Sequence, residues 1–168
     1  MRFFCIDYGL ERTGLAVSDP SAHLAFPLKT LRLADYQNRK QLLDALADCI
    51  RESDCSGVVL GLPMPLEGGE TMICRQIRNI AKRLAHRITI PIYFMNEALT
   101  SEMALSFLQA SRVRVRKRKA ILDQEAAVCI LESFLERYHK EGDTFLARAL
   151  FSNTFSCEQK GDGVLTAL

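Results

Sequence analysis

Three short apolar segments with tight connections open the chain. Residues 3–6 form a continuous apolar run, which is typical of a strand covered on both faces. Residues 13–18 predict a second strand, and residues 24–31 predict a third. Pro27 favours an edge position for this third strand, because proline cannot donate a hydrogen bond to a neighbouring strand. The short connections predict an antiparallel meander.

The spacing of apolar residues becomes helical after Asn38, which is a candidate N-cap. Residues 57–62 form a short apolar run stopped by Pro63, and they predict a buried strand. A loop containing proline and glycine follows over residues 63–69. Thr71 is the candidate N-cap of a second helix.

The remaining pattern predicts one more strand, over residues 90–95, and two helices, over residues 100–109 and about 119–139. The order of elements is then βββαβαβαα. Strands four and five each follow a helical crossover, so both should lie parallel to the first strand in a mixed five-stranded sheet flanked by helices. We predict an α/β fold, with a single domain over residues 1–141 and an irregular C-terminal tail over 142–168.

The composition is that of an ordinary globular protein, with 48% hydrophobic and 25% charged residues among 168. We see no secretory leader pattern and no apolar run long enough for a membrane span, and we expect a cytoplasmic protein. The cysteines show neither CxxC pairs nor zinc-ligand spacing. We expect reduced structural thiols at Cys5, Cys49, Cys55, Cys74, Cys129 and Cys157.

The net charge is only +2, but basic residues are concentrated in one run, residues 112–119. Six of its eight residues are basic: Arg112, Arg114, Arg116, Lys117, Arg118 and Lys119. A patch of this kind suits a polyanion such as nucleic acid. A solvated loop without a ligand is the alternative interpretation.

Two carboxylates end predicted strands. Asp7 follows the first apolar run, and Glu97 follows the fifth strand. Ligands of an open α/β sheet gather outside the carboxyl ends of its parallel strands, so both carboxylates should lie at one edge. Each also has a simpler interpretation, because aspartate before glycine often forms a turn and glutamate near Thr100 favours a helix N-terminus.

Asp123 lies on the apolar side of its predicted helix. It precedes Ala127, Ile130 and Phe134 by four, seven and eleven residues, which is the spacing of one helix face. An inward-facing charge is costly unless it is paired or binds a metal ion. The three carboxylates together predict a site for Mg²⁺ or Mn²⁺. Two such ions about 4 Å apart can activate water and stabilise the leaving oxygen of a phosphodiester.

Four motifs occur in order along residues 2–138. They are Asp7-Tyr8-Gly9 with Arg12, Gly14, Ala16, Ser18 and Asp19, then Gly61-Leu62-Pro63, then Glu97-Ala98-Leu99-Thr100, and last Asp123 with Ala126-Ala127. In this combination the chain resembles the YqgF family, also called RuvX, of Holliday junction resolvases and pre-16S rRNA nucleases.

The resemblance implies an RNase H-like fold and a nuclease, a hydrolase that cuts phosphodiester bonds with the help of divalent metal. It implies that Asp7, Glu97 and Asp123 are the catalytic and metal-binding triad, and that Arg12 faces the substrate. The basic run at 112–119 matches the family's Lys/Arg-rich segment, which implies further substrate contacts. The family's link to ribosome biogenesis implies 5′-end processing of pre-16S rRNA, with structured RNA or a ribosomal precursor particle as the partner.

Two residues depart from the family pattern. Family members usually read Asp-Glu-Arg-Leu-Thr where this chain has Asn96-Glu97-Ala98-Leu99-Thr100. Asn96 removes one outer-sphere metal ligand, and Ala98 removes a cation able to pair with Glu97 or contact the substrate. The three acidic residues are all present, so we predict an active enzyme.

Three other functions share parts of this pattern. A Holliday junction resolvase acting on branched DNA in recombination and repair would use the same chemistry. It cuts two symmetric strands, so an obligate homodimer would favour it, whereas the rRNA nuclease fits a monomer or a homodimer. A non-catalytic RNA-binding assembly factor would keep only the fold. An ATPase of the sugar kinase and actin type needs a second domain, for which 168 residues leave no room.

Overall fold

The computed structural model describes residues 1–63, 71–96 and 115–151, with the backbone alone at residue 96 and residues 115–123. In chain order its strands and helices are β1 (Phe3–Tyr8), β2 (Arg12–Ser18), β3 (Ala25–Arg32), α1 (Arg39–Glu52), β4 (Gly57–Leu62), α2 (Met72–Ala85), β5 (Ile92–Asn96), α3 (Val115–Glu141) and α4 (Asp143–Ala149). A short 3-10 helix, Leu33–Asp35, follows β3.

The five strands form one sheet in the order β3-β2-β1-β4-β5. β1 pairs antiparallel with β2, and β2 pairs antiparallel with β3. β4 is parallel to β1 and to β5, and the helical crossovers α1 and α2 make these parallel pairs possible. The predicted meander and mixed five-stranded sheet are confirmed, and the strand that contains Pro27 is at an edge as predicted.

Local hydrogen bonds explain where the two crossover helices begin. Asn38 Oδ1 accepts a hydrogen bond of 3.0 Å from the backbone N–H of Gln41. Thr71 Oγ1 accepts one of 3.3 Å from the backbone N–H of Cys74. Both contacts satisfy N–H groups that the first turn of a helix leaves without a partner. Both predicted N-caps are confirmed.

Alternate residues of each strand lie on opposite faces of the sheet. In β1, Phe4 and Ile6 are fully buried in the core shared with α1 and α2. Phe3 and Cys5 are fully buried in the core shared with α3 and α4. Asp7 is two residues beyond Cys5, so it belongs to the face that α3 covers, which we call the α3 face.

The last long helix includes more of the basic run than the sequence predicts. Within the described residues α3 starts at Val115, so residues 116–119 are helical. The predicted helix start at about residue 119 is four residues too late, because arginine and lysine are good helix formers and a cluster of charge does not end a helix. Arg112 and Arg114 lie outside the described residues, as does the predicted helix over 100–109.

The prediction of an irregular tail from residue 142 is wrong for its first part. Residues Asp143–Ala149 form α4, and Phe145 is buried in the α3-side core. The backbone N–H of Phe151 then donates a hydrogen bond of 2.7 Å to a carbonyl of β5. So short a helix is not stable alone, and packing on the domain stabilises it. Residues 152–168 lie outside the described part of the chain.

None of the five cysteines that the structure describes is in a disulfide, and Cys157 lies outside the described residues. Burial raises the pKa of Cys55 to about 11, and burial also raises the pKa of Cys129. Both thiols are therefore protonated at neutral pH, which suits packing rather than nucleophilic chemistry.

α3 is one continuous helix of 27 residues, and charged residues occur along its whole length. Across residues 1–63, 71–96 and 115–151, no helix combines the length and apolar character needed to cross a membrane.

Candidate functional site

Asp7 lies near the carboxyl end of β1 and is half-buried. β1 and β4 run parallel in register as far as Ile6 and Leu60. In the next parallel pair, Leu62 of β4 lies beside Asn96 of β5. The carboxyl ends of β1, β4 and β5 therefore meet at one edge of the sheet, which we call the carboxyl edge. Open α/β sheets bind their ligands at this position.

Asp7 has a glycine beside it on both neighbouring strands. On β2, Gly14 pairs directly with Asp7. On β4, Gly61 follows Leu60, the partner of Ile6, so Gly61 is next in register beside Asp7. Side chains at such positions normally stand about 5 Å apart and contact each other. Because both neighbours are glycine, neither of these two positions places a side chain directly beside the Asp7 carboxylate.

α3 covers this face and has its carboxyl-terminal part at the start of β1. Toward its carboxyl end, Phe134 and Tyr138 pack on Phe3, with ring centroids 5.0 Å and 5.4 Å apart. Asp123 is eleven residues before Phe134, a distance of about 16 Å along a helix. Asp7 is four residues after Phe3, a distance of about 13 Å along a strand. The helix backbone at Asp123 is therefore level with Asp7 to within about one helical turn.

The apolar stripe that follows Asp123 on α3 is confirmed. Ala127, Ile130 and Phe134 are 0%, 2% and 0% exposed and pack in the core between α3 and the sheet. The side chain of Asp123 itself lies outside the described residues. Its predicted inward orientation and its metal-binding role stay predictions.

Glu97 also lies outside the described residues. Two positions before it, Met95 is buried on the α3 face of β5. The part of the chain that the structure describes contains no group of three or more side chains able to hold a metal ion. Asp7 is the one member of the predicted triad whose side chain is described, so the metal site of Asp7, Glu97 and Asp123 stays a prediction.

The turn after β1 explains why the first motif contains a glycine at position 9. The backbone N–H of Gly9 donates a hydrogen bond of 2.8 Å to the carbonyl oxygen of Arg12. A Cβ atom at Gly9 would lie 2.6 Å from the same oxygen, so glycine is required for this turn. The turn returns the chain into β2 with Arg12 as the first residue of the strand. Arg12 is half-buried, and its Nη1 atom is buried.

A second arginine near Arg12 was missed by the sequence prediction. Arg32, the last residue of β3, pairs directly with Arg12. Both residues lie on the rim of an open pocket of about 480 Å³ next to the β1–β2 turn. Arg32 belongs to no motif, and only the pairing of β2 with β3 brings it close to Arg12.

The basic run lies at the amino-terminal end of α3, ahead of Asp123. Because the backbone at Asp123 is level with Asp7, the preceding turns that contain residues 116–119 extend past the carboxyl edge. Their side chains lie outside the described residues, as do Arg112 and Arg114. Contact of these six basic residues with a substrate stays a prediction.

Asp19, the last residue of the first motif, has a structural role away from the carboxyl edge. Its carboxylate accepts backbone hydrogen bonds of 3.0 Å from Ser21, 2.7 Å from His23 and 2.7 Å from Leu24. These contacts hold the β2–β3 connection, in which Ala22 has a positive φ of 60°. Hydrogen bonds, above all from Leu24, hold the pKa of Asp19 well below its usual range.

We expect Asp19→Asn to be less stable than the wild type at neutral pH, with a difference that shrinks in acid. Because the folded pKa is lowered, the charged carboxylate stabilises the protein fully above the ordinary carboxyl pKa of about 4, and this effect is lost progressively as the pH falls from there through the folded pKa. The difference between the two urea midpoints should therefore be constant near neutral pH and smaller at about pH 3. Asp54→Asn is the control, because Asp54 is in an exposed turn whose positive φ asparagine tolerates. A pH-independent difference between Asp19→Asn and the wild type would contradict this role.

The sequence matches a family model, described as "RuvX: Holliday junction resolvase", over residues 1–137. The chain belongs to the RuvX family. This confirms the family that the four motifs predicted. The match spans β1 to β5 and nearly all of α3, so the RuvX region includes Asp7, Glu97 and Asp123.

Two relatives of this RuvX-family chain are similar over nearly their full length. A protein of Lawsonia intracellularis is 40% identical over 141 residues, which cover 84% of this chain and 97% of the relative. A protein of Oleidesulfovibrio alaskensis is 42% identical over 135 residues, which cover 80% of this chain and 92% of the relative. Both are named "Putative pre-16S rRNA nuclease".

Two solved structures share the fold of this RuvX-family chain. Thermus thermophilus RuvC matches with a TM-score of 0.50 and 14% identity, over 83% of this chain and 97% of RuvC. RuvC in complex with a Holliday junction substrate matches with a TM-score of 0.53 and 15% identity, over 83% and 96% of the two chains. At such identities the likeness concerns the fold alone, and it confirms the predicted RNase H-like α/β architecture.

Proposed function

We propose that this protein is a cytoplasmic, metal-dependent endonuclease that hydrolyses phosphodiester bonds during 5′-end processing of pre-16S rRNA. The position of Asp7 is the observation on which the proposal rests. It is a carboxylate at the carboxyl edge, it has glycine on both sides, and α3 brings the backbone at Asp123 to the same level. The names of the two relatives support precursor rRNA as the substrate.

The predicted donor set fits a hard divalent cation. Asp7, Glu97 and Asp123 offer carboxylate oxygens, which are the ligands that Mg²⁺ and Mn²⁺ prefer. The glycines beside Asp7 fit this role, because a larger side chain there would compete with a hydrated ion for the same space. A bound metal would supply activation of water and stabilisation of the leaving oxygen.

Basic side chains near this edge would hold the RNA backbone. Arg12 begins β2 beside Asp7, and the run at 112–119 precedes Asp123 on the chain. Contacts of arginine and lysine with phosphates position a nucleic acid without reading its sequence, and they weaken as salt increases. The enzyme would therefore select structured RNA by its shape and by the path of its backbone. It could act in this way either as a monomer or as a homodimer.

A Holliday junction resolvase is the second candidate, because the matching family model is described by that activity. The same carboxylates would cut DNA by the same chemistry. The difference is the substrate, since a resolvase acts on two symmetric strands and needs two active sites held in one dimer.

The full chain should be incubated in parallel with precursor 16S rRNA, an RNA duplex and a four-way DNA junction, each with Mg²⁺, Mn²⁺ or EDTA. We expect cleavage of the precursor with either metal and none in EDTA. Cleavage of the junction alone would favour the resolvase. Binding of the precursor without cleavage in either metal would refute the nuclease and leave an RNA-binding assembly factor, an outcome consistent with the changes at Asn96 and Ala98.

A further inference from the structure

The pairing of β2 with β3 brings two arginines together beside the predicted cleavage site. We propose that Arg32 and Arg12 form a phosphate-binding site for the RNA backbone, next to the scissile bond rather than at it. The inference rests on the proposed nuclease function, because it states where the substrate strand runs relative to Asp7. It also assigns a role to Arg32, which none of the four motifs contains.

The strand register places both arginines on the same face of the sheet as Asp7. Gly14 of β2 pairs with Asp7, and Arg12 is two residues before Gly14, so the two positions share a face. Arg32 pairs directly with Arg12, so it shares that face too. This is the α3 face, on which Asp7 and the backbone at Asp123 also lie.

The spacing puts the arginine pair beside Asp7, not on top of it. Neighbouring strands are about 4.8 Å apart, and residues rise about 3.4 Å along a strand. Arg12 is one strand across and two residues along from Asp7, so their Cα atoms are about 8 Å apart. Arg32 is two strands across, which gives about 12 Å. One RNA strand can reach both positions, and the arginines then contact a phosphate other than the one that is cut.

The pocket between the arginines has a defined shape. It is open, has a volume of about 480 Å³, and is lined by Leu10, Glu11, Arg12, Arg32, Leu33 and Ala34. The backbone N–H of Leu33 donates a hydrogen bond of 2.9 Å to the carbonyl oxygen of Glu11. This bond ties the β1–β2 turn to the end of β3, so the two walls are held together before any ligand binds.

The charges of the pocket favour an anion. Like charges directly opposite each other on neighbouring strands repel. A phosphate between Arg12 and Arg32 would accept charge-assisted hydrogen bonds from both guanidinium groups. Among the lining residues that the structure describes, two are basic, Arg12 and Arg32, and one is acidic, Glu11.

The test measures binding without cleavage. Affinity of the full chain for a labelled single-stranded RNA of mixed sequence is measured in EDTA at several salt concentrations. We expect Arg32→Ala to bind about tenfold more weakly. The slope of log affinity against log salt should fall by about 0.7, the value for one lost contact to a single strand. Arg32→Lys should keep the slope and bind with intermediate affinity, because it keeps the charge but loses the planar fork.

Two further variants test whether the effect is specific to this pocket and to its charge. Arg83→Ala removes the same charge from an exposed position in the last turn of α2, at the opposite edge of the sheet, and should bind like the wild type. Glu11→Gln removes the opposing charge and should bind more tightly. Arg32 is exposed, so Arg32→Ala should melt at the wild-type temperature.

The outcomes separate this inference from the proposed function. If Arg32→Ala binds RNA like Arg83→Ala, with the same salt slope, the phosphate site is refuted even if the wild type cleaves precursor rRNA. If the wild type cleaves nothing but Arg32→Ala still loses affinity and slope, the phosphate site stands and the nuclease proposal fails. Absence of binding of this single-stranded RNA by the wild type would overturn the phosphate site alone, because the nuclease proposal is tested separately with precursor rRNA and a divalent metal.

Discussion

Asp7→Asn is expected to abolish cleavage of precursor rRNA while leaving the fold unchanged. Asparagine has nearly the same shape as aspartate, so the packing of β1 against β2 and β4 is kept, but it loses the charge that a divalent ion requires. Loss of metal-assisted stabilisation costs several kcal/mol, which lowers the rate by about 100-fold or more. Single-turnover cleavage at saturating enzyme with Mn²⁺ measures this loss, and a thermal melt confirms the fold.

The matched control for this variant is Asp54→Asn. Asp54 is exposed in the turn before β4, at the edge of the sheet opposite Asp7, so its variant should cleave at the wild-type rate. Glu97→Gln and Asp123→Asn should each lose about as much activity as Asp7→Asn. Combining two of these changes should add little, because residues that act as one unit are not additive. Wild-type cleavage by Asp7→Asn would show that the triad is wrongly assigned.

Strand positions, strand directions and the starts of two helices could be predicted because they depend on local signals. Continuous apolar runs predicted strands, and helical crossovers predicted that β4 and β5 run parallel to β1. Asn38 and Thr71 begin helices through hydrogen bonds within three residues along the chain. Such signals lie within a short window of sequence, so they can be read without knowing the tertiary structure.

The surroundings of Asp7 could be predicted only in part. Its strand-end position follows from the end of an apolar run, but its two glycine neighbours follow from pairing with β2 and β4. The same holds for Arg32, which is one arginine at the end of an edge strand until β3 is paired with β2. Pairing joins residues that are distant in sequence, and no local pattern reports it.

α4 was missed for a different reason. Seven residues are too few to form a stable helix alone, so the local signal at Asp143–Ala149 is weak. The helix forms because Phe145 packs against Phe134, with ring centroids 5.1 Å apart. This contact depends on α3 already covering the sheet, so the sequence of residues 143–149 alone does not predict the helix.

Phe134→Ala is expected to destabilise the protein by about 3–5 kcal/mol, the cost of deleting a buried aromatic ring. Phe134 is fully buried, and its ring contacts Phe3, Tyr93 and Phe145 at centroid distances of 5.0 Å, 5.6 Å and 5.1 Å. It therefore joins β1, β5 and α4 to α3. The free energy of unfolding of a natural domain is about 5–15 kcal/mol in total. The urea concentration at the unfolding midpoint should therefore fall strongly in this variant.

Phe26→Ala is the matched control, because Phe26 lies on β3 and is 49% exposed. Its loss should cost far less, about 0.5 kcal/mol or little more. Equal destabilisation by the two variants would contradict the position of Phe134 in the core. The comparison also bears on function, since α3 is the helix that brings the backbone at Asp123 level with Asp7. We therefore expect Phe134→Ala to lose cleavage activity at lower temperatures than the wild type, in step with its own unfolding, whereas Asp7→Asn is inactive at every temperature at which it is folded.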